Sequence, residues 1–443
     1  MRFHRIPRRA SIPALLLALV LALPAQAASL LRDADMEYAL RQMAAPVLRA
    51  AGLSPDRVKI LIVDDSSLNA FVISNDAIFL HYGLINKLGS AAMLQGVIAH
   101  EAAHITNGHI TRRMGNMANA RTVTGLGLAL AVAAAAAGGS DAAGGIAIGS
   151  ASAAQRALLG HTRAEEASAD QSGIRYMKSA GASPQGLLDT LKIFEGQEAL
   201  NIGRQDPYLR SHPLSRDRIR AVEGYVASYG TLPADPAARY WFARLKGKLT
   251  AYTRAPSWTL RRLGDSGYAD IALLREAIAQ HRNSRTKVAL TAIDRAIAAR
   301  PKDAFLHDQR GQILLETRNF DAAVNAYARG VRLAPNDALI LSGYGRALLA
   351  NGQVQQALPV LEKSRRQDFR DGSMLRDLAT AYAKAGQTGM AALVTAERYA
   401  LGGRLKDAGI HAKRATGLLA TGSGPWQRAQ DVLIASQRAA KRK

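Results

Sequence analysis

Between residues 270 and 405 the chain repeats itself every 34 positions. Pro301 recurs as Pro335, Ala289 as Ala323, Ala357 and Ala391, Gly311 as Gly345, and Gly352 as Gly386. A fixed period of this length leaves few folds open. One unit holds a pair of helices that cannot bury its apolar face alone, so neighbours must stack, and the recurring small residues mark where helices cross. The product is a curved α-solenoid whose concave surface suits a partner's helix or tail. Four registers fall near 270–303, 304–337, 338–371 and 372–405, followed by a degenerate helical cap. The repeat unit is taken as 270–440, after a linker at 256–269 where Pro256-Ser257 and Gly264-Asp265-Ser266-Gly267 break the helical pattern.

This period, with small residues at the crossings and Pro at the repeat end, is the tetratricopeptide pattern. It says nothing about chemistry, which lies upstream. Gly96-Val97-Ile98-Ala99-His100-Glu101-Ala102-Ala103-His104 contains His-Glu-x-x-His. At about 100° per residue, positions four apart share a helix face, so His100 and His104 can aim at one metal ion, with Glu101 one step round as a general base. That arrangement suits metal-assisted hydrolysis. A catalytic zinc needs a third protein ligand, and Thr162-Arg163-Ala164-Glu165-Glu166-Ala167-Ser168-Ala169-Asp170 offers carboxylates on a second helix. Glu166 and Asp170 are four apart: Glu166 is taken as the ligand, and a carboxylate one turn away can orient a liganding imidazole.

The paired motifs, His-Glu-x-x-His followed by [Ser/Thr]-Arg-x-x-Glu-x-x-Ala-Asp, resemble the metallopeptidase family of the CAAX-prenyl endopeptidases and the HtpX heat-shock proteases. The signal peptide and repeat tail resemble its periplasmic BepA-like branch. The resemblance implies a zincin-type protease domain, one Zn2+ per chain on His100, His104 and Glu166, Glu101 as base, and Asp170 as partner to a ligand. Thr162 stands where the family commonly has Ser, which keeps the hydroxyl. Ser211-His212-Pro213 with Arg218 matches the family's His-Pro-x-x-x-x-Arg element. It implies a loop over the site, with His212 and Arg218 as catalytic residues able to stabilise an oxyanion; the alternative reading of His212 is a plug on the open metal position. His109 lies five steps after His104, rotated by about 140° off the metal face, and is read as structural.

Three short strands are expected at Val58–Val63, Asn69–Ile73 and Ala77–His81, giving an edge strand with which an extended peptide can pair. The fold class is therefore α+β and mainly helical: a metalloprotease domain at 28–255 with a small sheet, then the solenoid. Residues 1–27 read as a secretory signal, with a basic head at Arg2, Arg5, Arg8 and Arg9, an apolar body from Ile12 to Leu23, and Ala25-Gln26-Ala27 for cleavage. The chain has no cysteine, so no disulfide is available in a compartment that permits one, and the periplasm is the expected location. Residues 122–154 are uncharged apart from Asp141 and rich in Ala and Gly, and are expected to form an apolar hairpin beside or over the site, with contact to a membrane surface or a transmembrane pair as the alternatives.

The formal charge is +23, and about +19 once the four arginines of the basic head are removed. Outside the cytoplasm such a surface attracts anionic lipid or acidic protein rather than nucleic acid, for which no motif is present. The expected partners are unfolded or misassembled envelope proteins, the outer-membrane assembly machinery held by the solenoid, and an anionic membrane surface. The expected function is a periplasmic zinc endopeptidase that degrades such clients. The alternative is a chaperone or adaptor whose metal site is latent.

Overall fold

The computed structural model describes residues 30–112, 163–197, 204–230 and 232–441. The signal at 1–27 and the apolar hairpin at 122–154 lie outside them. Among the described residues, no helix is long and apolar enough to cross a membrane.

The N-terminal half wraps helices around a four-stranded sheet. Strand β1 (Leu30–Leu31) leads into α1 (Ala34–Ala50). Asp33 starts this helix by accepting a hydrogen bond from the Met36 N–H at 2.9 Å, and Met36, Leu40, Met43 and Val47 recur at helical spacing on its buried face. Then come β2 (Lys59–Val63), β3 (Ala70–Ser74) and β4 (Ala77–His81). The sheet order is β1-β2-β4-β3. β2 and β4 run parallel, pairing Lys59 with Ala77 through to Val63 with His81, while β3 folds back antiparallel on β4 and forms one edge. The three expected strands are present, and β1 adds a fourth that was too short to show a pattern.

After the short helix α2 (Tyr82–Lys87), Ser90 caps α3 (Ala91–Thr106), which carries His-Glu-x-x-His. Nearly every residue of α3 is buried, so it lies among other elements rather than on the surface. Helices α4 (Arg163–Ser179) and α5 (Gln185–Ile193) press against it almost backbone to backbone. A Cβ on Gly186 would sit 2.1 Å from the Ala92 carbonyl, and one on Gly96 would sit 2.8 Å from the Leu187 backbone. Only glycine permits this approach, and it brings the α4 carboxylates to the α3 histidines. A short helix α6 (Pro207–Ser211), a turn at His212-Pro213, and α7 (Arg216–Tyr229) close the site.

Helix α8 (Pro236–Thr253) runs from this body into the solenoid. The span 256–269, expected as a linker, contains a five-residue helix α9 (Pro256–Leu260) and a 3₁₀ turn (Leu263–Ser266). Five helix pairs follow: α10 (Ala269–Arg282) with α11 (Thr286–Ala299), α12 (Ala304–Glu316) with α13 (Phe320–Leu333), α14 (Ala338–Ala350) with α15 (Val354–Gln367), α16 (Gly372–Lys384) with α17 (Thr388–Leu401), and α18 (Leu405–Leu418) with α19 (Gly424–Lys441). The repeat positions behave alike. Gly311 and Gly345 abut the Tyr327 ring and the Leu361 side chain, and the turns place Ser284, Arg318, Gly352 and Gly386, each 34 apart, at positive φ.

The solenoid folds back onto the start of the chain. Arg244 of α8, wholly buried, bonds Asp35 of α1 at 2.7 Å and Asp303, the cap of α12, at 2.5 Å. Buried Lys248 reaches Asp33 at 2.8 Å, and Arg32 reaches Asp368 at 2.6 Å. Tyr38 packs against Trp241 and Phe305. The turn between β3 and β4 is also held, by an Arg370–Asp76 ion pair.

Candidate metal centre

Helix α3 presents His100 and His104 on one face with their Nε2 atoms 3.0 Å apart. From α4, Glu166 places Oε1 3.4 Å from His104 Nε2 and Oε2 3.5 Å from His100 Nε2. His212 enters from the turn after α6, its Nδ1 3.1 Å from Glu166 Oε1 and 3.4 Å from His100 Nε2. One donor atom from each of these four residues fits within a span of 4.8 Å, and all four residues are buried.

The groups behind the donors fix which atoms face inward. Asp170 Oδ1 lies 3.0 Å from His100 Nδ1, so the imidazole proton belongs there and Nε2 turns its lone pair to the centre. His104 Nδ1 is 2.8 Å from His109 Nδ1. The expected 140° rotation of His109 assumed an unbroken helix. The helix instead ends at Asn107-Gly108, with Gly108 at φ +70°, and the turn brings His109 back behind its neighbour. Lone pairs and a carboxylate converging in a dry cavity repel one another unless a cation lies between them, so two imidazoles and a carboxylate are a fitting donor set for a divalent metal.

Burial alone would lower the His100 imidazole, but bonding to Asp170 and Glu166 outweighs it and raises its pKa to about 10, so a metal bound at Nε2 would take the place of a proton there. Burial holds His104 well below its ordinary value. Burial would raise Glu166, yet the surrounding imidazoles, His212 foremost, hold it well below the usual carboxylate range.

Glu101 is buried one step round from His100, with Oε1 3.4 Å from His212 Nε2. The same His212 nitrogen is 3.2 Å from the Ala70 carbonyl on edge strand β3. Arg218 was expected to face an oxyanion. Its guanidinium lies behind the carboxylates instead: Nε donates to Asp170 Oδ2 at 2.7 Å, Nη2 to Asp170 Oδ1 at 2.9 Å, and Nη1 pairs with Glu166 Oε2 at 2.7 Å and donates to the Pro213 carbonyl at 2.8 Å. With all three nitrogens engaged, it braces both carboxylates. Asp170 owes its lowered pKa to this: burial raises it and Arg218 more than reverses the effect.

Residues 31–226 match the sequence profile of peptidase family M48. The chain carries an M48 peptidase domain. It is a metalloendopeptidase, and residues 314–384 match a tetratricopeptide-repeat profile. The chain is 23% identical to the beta-barrel assembly-enhancing protease of Escherichia coli K12 over 355 residues, spanning 78% of this chain and 72% of that one. It is 26% identical to metalloprotease LoiP of the same organism over 204 residues, 44% of this chain and 74% of LoiP. Among solved structures, the repeat protein YrrB aligns with a TM-score of 0.32 at 18% identity, over 41% of this chain and 92% of its own.

One residue of the M48 centre escaped the sequence reading. Tyr208 of α6 stacks on Phe194 and lies against His212, with ring centroids 4.8 and 4.7 Å away. The available signal was its place, an aromatic four residues before the histidine of the His-Pro turn.

Proposed function

We propose that the chain is a periplasmic zinc endopeptidase acting on unfolded or misassembled outer-membrane proteins. The single observation that carries the reading is the convergence of His100, His104 and Glu166, each backed by its own brace, beside a buried Glu101. His100, His104 and Glu166 would hold the ion. Zinc, when bound there, would lower the pKa of a water and polarise the scissile carbonyl. Glu101 takes the proton as that water attacks and returns it to the departing amine. Asp170 and His109 keep the imidazoles in register, while Arg218 is a positioning residue that holds Glu166 and Asp170. The edge of β3 pairs with an extended substrate backbone, which suits weak sequence preference among unfolded chains.

The substrate class rests on the likeness to the beta-barrel assembly-enhancing protease, and the solenoid is assigned the recruitment of clients or assembly machinery. The latent reading has an observation of its own: His212 occupies both the fourth corner of the centre and the Ala70 carbonyl that a substrate would need. We read this as a resting state from which substrate displaces His212.

The test compares the mature chain with Glu101→Gln and His212→Ala for cleavage of an unfolded outer-membrane β-barrel protein, with zinc and with chelator. Expected are zinc-dependent cleavage, its loss in Glu101→Gln with metal still bound, and faster cleavage by His212→Ala. Equal behaviour of wild type and Glu101→Gln would leave the site structural and the molecule an adaptor.

A further inference from the structure

Among the described residues, the hydroxyl of Tyr208 is a buried polar group with no hydrogen-bond partner. The residue is only 1% exposed. Leaving such a group unpaired costs stability, so its survival in a packed centre asks for a reason. Its surroundings supply one. The ring stacks on Phe194, and its backbone N–H bonds the Leu68 carbonyl just before β3, which holds the side chain against the site whether or not His212 lies on its other face. His212, against which the ring lies, has Nε2 3.4 Å from Glu101 Oε1 and Nδ1 3.1 Å from Glu166 Oε1, so the phenol borders the base and a proposed ligand. A phenol is a hydrogen-bond donor at neutral pH.

We propose that Tyr208 is a further catalytic residue, whose hydroxyl donates a hydrogen bond to the attacking water and to the oxygen which that water leaves on the tetrahedral adduct. This rests on the metallopeptidase reading above. The position follows from the packing: the ring lies against His212, whose Nε2 is 3.4 Å from Glu101 Oε1, the group that strips this water. The phenol keeps its proton throughout. A donor fixed in advance by packing orients the water for attack and needs no reorganisation as the adduct forms.

The test uses the zinc-loaded mature chain and Tyr208→Phe, with Glu101→Gln in parallel. Removing a hydroxyl that bonds nothing among the described residues leaves the melting temperature equal or higher, and zinc content stays at one per chain. Expected with this is a roughly tenfold to hundredfold fall in kcat with little change in KM. Calorimetry with a phosphonamidate peptide, which mimics the tetrahedral adduct, should show a comparable loss of affinity, while the cleaved product peptide binds as before; this arm needs no turnover. Phosphonamidate affinity unchanged in Tyr208→Phe, or kcat within twofold of wild type, overturns the role of Tyr208. A drop in melting temperature with parallel losses of zinc and of product binding shows a structural hydroxyl and overturns it as well. Glu101→Gln active at the wild-type rate would instead sink the metallopeptidase reading itself.

Discussion

Each donor at the metal centre depends on a residue that touches no metal. Asp170 sets the tautomer of His100, Arg218 holds Asp170 with a two-pronged contact, and His109 backs His104. Asp170→Asn keeps the shape but loses the charge that Arg218 and His100 answer to. It should weaken zinc binding by about tenfold to a hundredfold. A competition titration against a chromogenic chelator reads this directly, and unchanged affinity would show that the brace is dispensable. Sequence spacing could name His100, Glu101, His104, Glu166 and Asp170 because helical geometry dictates which side chains share a face. It could not orient Arg218, since a motif records that a guanidinium is near but not which side of the carboxylates it takes.

At the scale of the helices, two glycines and two turns carry most of the specificity. Gly186 lets α5 lie against the start of α3, and Gly186→Ala would push a methyl into the Ala92 carbonyl. Neither helix can retreat without disturbing the Gly96–Leu187 contact, so a loss of about 3 kcal/mol is expected in chemical denaturation. A loss below about 0.5 kcal/mol would mean that the helices slide freely, within the usual range for inert substitutions. In the solenoid, Ser284 and Arg318 hold φ of 59° and 64° where the later repeats have Gly352 and Gly386. Arg318→Gly should relieve the left-handed strain and stabilise by about 0.5–1 kcal/mol, offset in part by the freer unfolded chain. The thermal midpoint of the full chain checks the sign. The 34-residue period made these turns predictable in place, although which of them would be strained followed only from the dihedral angles.

Across the whole molecule, the protease body and the solenoid share a buried charged seam. Arg244, Lys248 and Arg32 meet Asp35, Asp33, Asp303 and Asp368, so neither body is completed without the other. Such pairs are costly to break, because removing one partner strands a desolvated charge. Asp308 of α12 sits at this seam, where burial and the nearby acids Asp33, Asp337 and Asp35 outweigh Lys248 and raise its carboxyl to about 8 from 3.8. An acid whose folded pKa lies above its unfolded value is bound to its proton more strongly when folded. Its penalty is absent below the unfolded value, grows as pH rises between the two, and is fully present above the folded one. Asp308→Asn should therefore flatten the fall of the melting temperature between pH 4 and 8 and raise it at pH 8. A slope identical to wild type would show that Asp308 is charged throughout.

Two things were legible along the chain itself: the solenoid, because a 34-residue period repeats whatever surrounds it, and the pairing of His100 with His104 and of Glu166 with Asp170, because helix geometry converts four-residue spacing into a shared face; the role of each carboxylate came with the family resemblance. The short β1, the return of His109 after Gly108, the place of Arg218, the buried Tyr208 hydroxyl and the seam between the two bodies were decided only in three dimensions. Each of those depends on which distant backbone lies alongside. Contacts across tens or hundreds of residues leave no local periodicity, and Arg32 meeting Asp368 is fixed by the curvature of the stacked repeats.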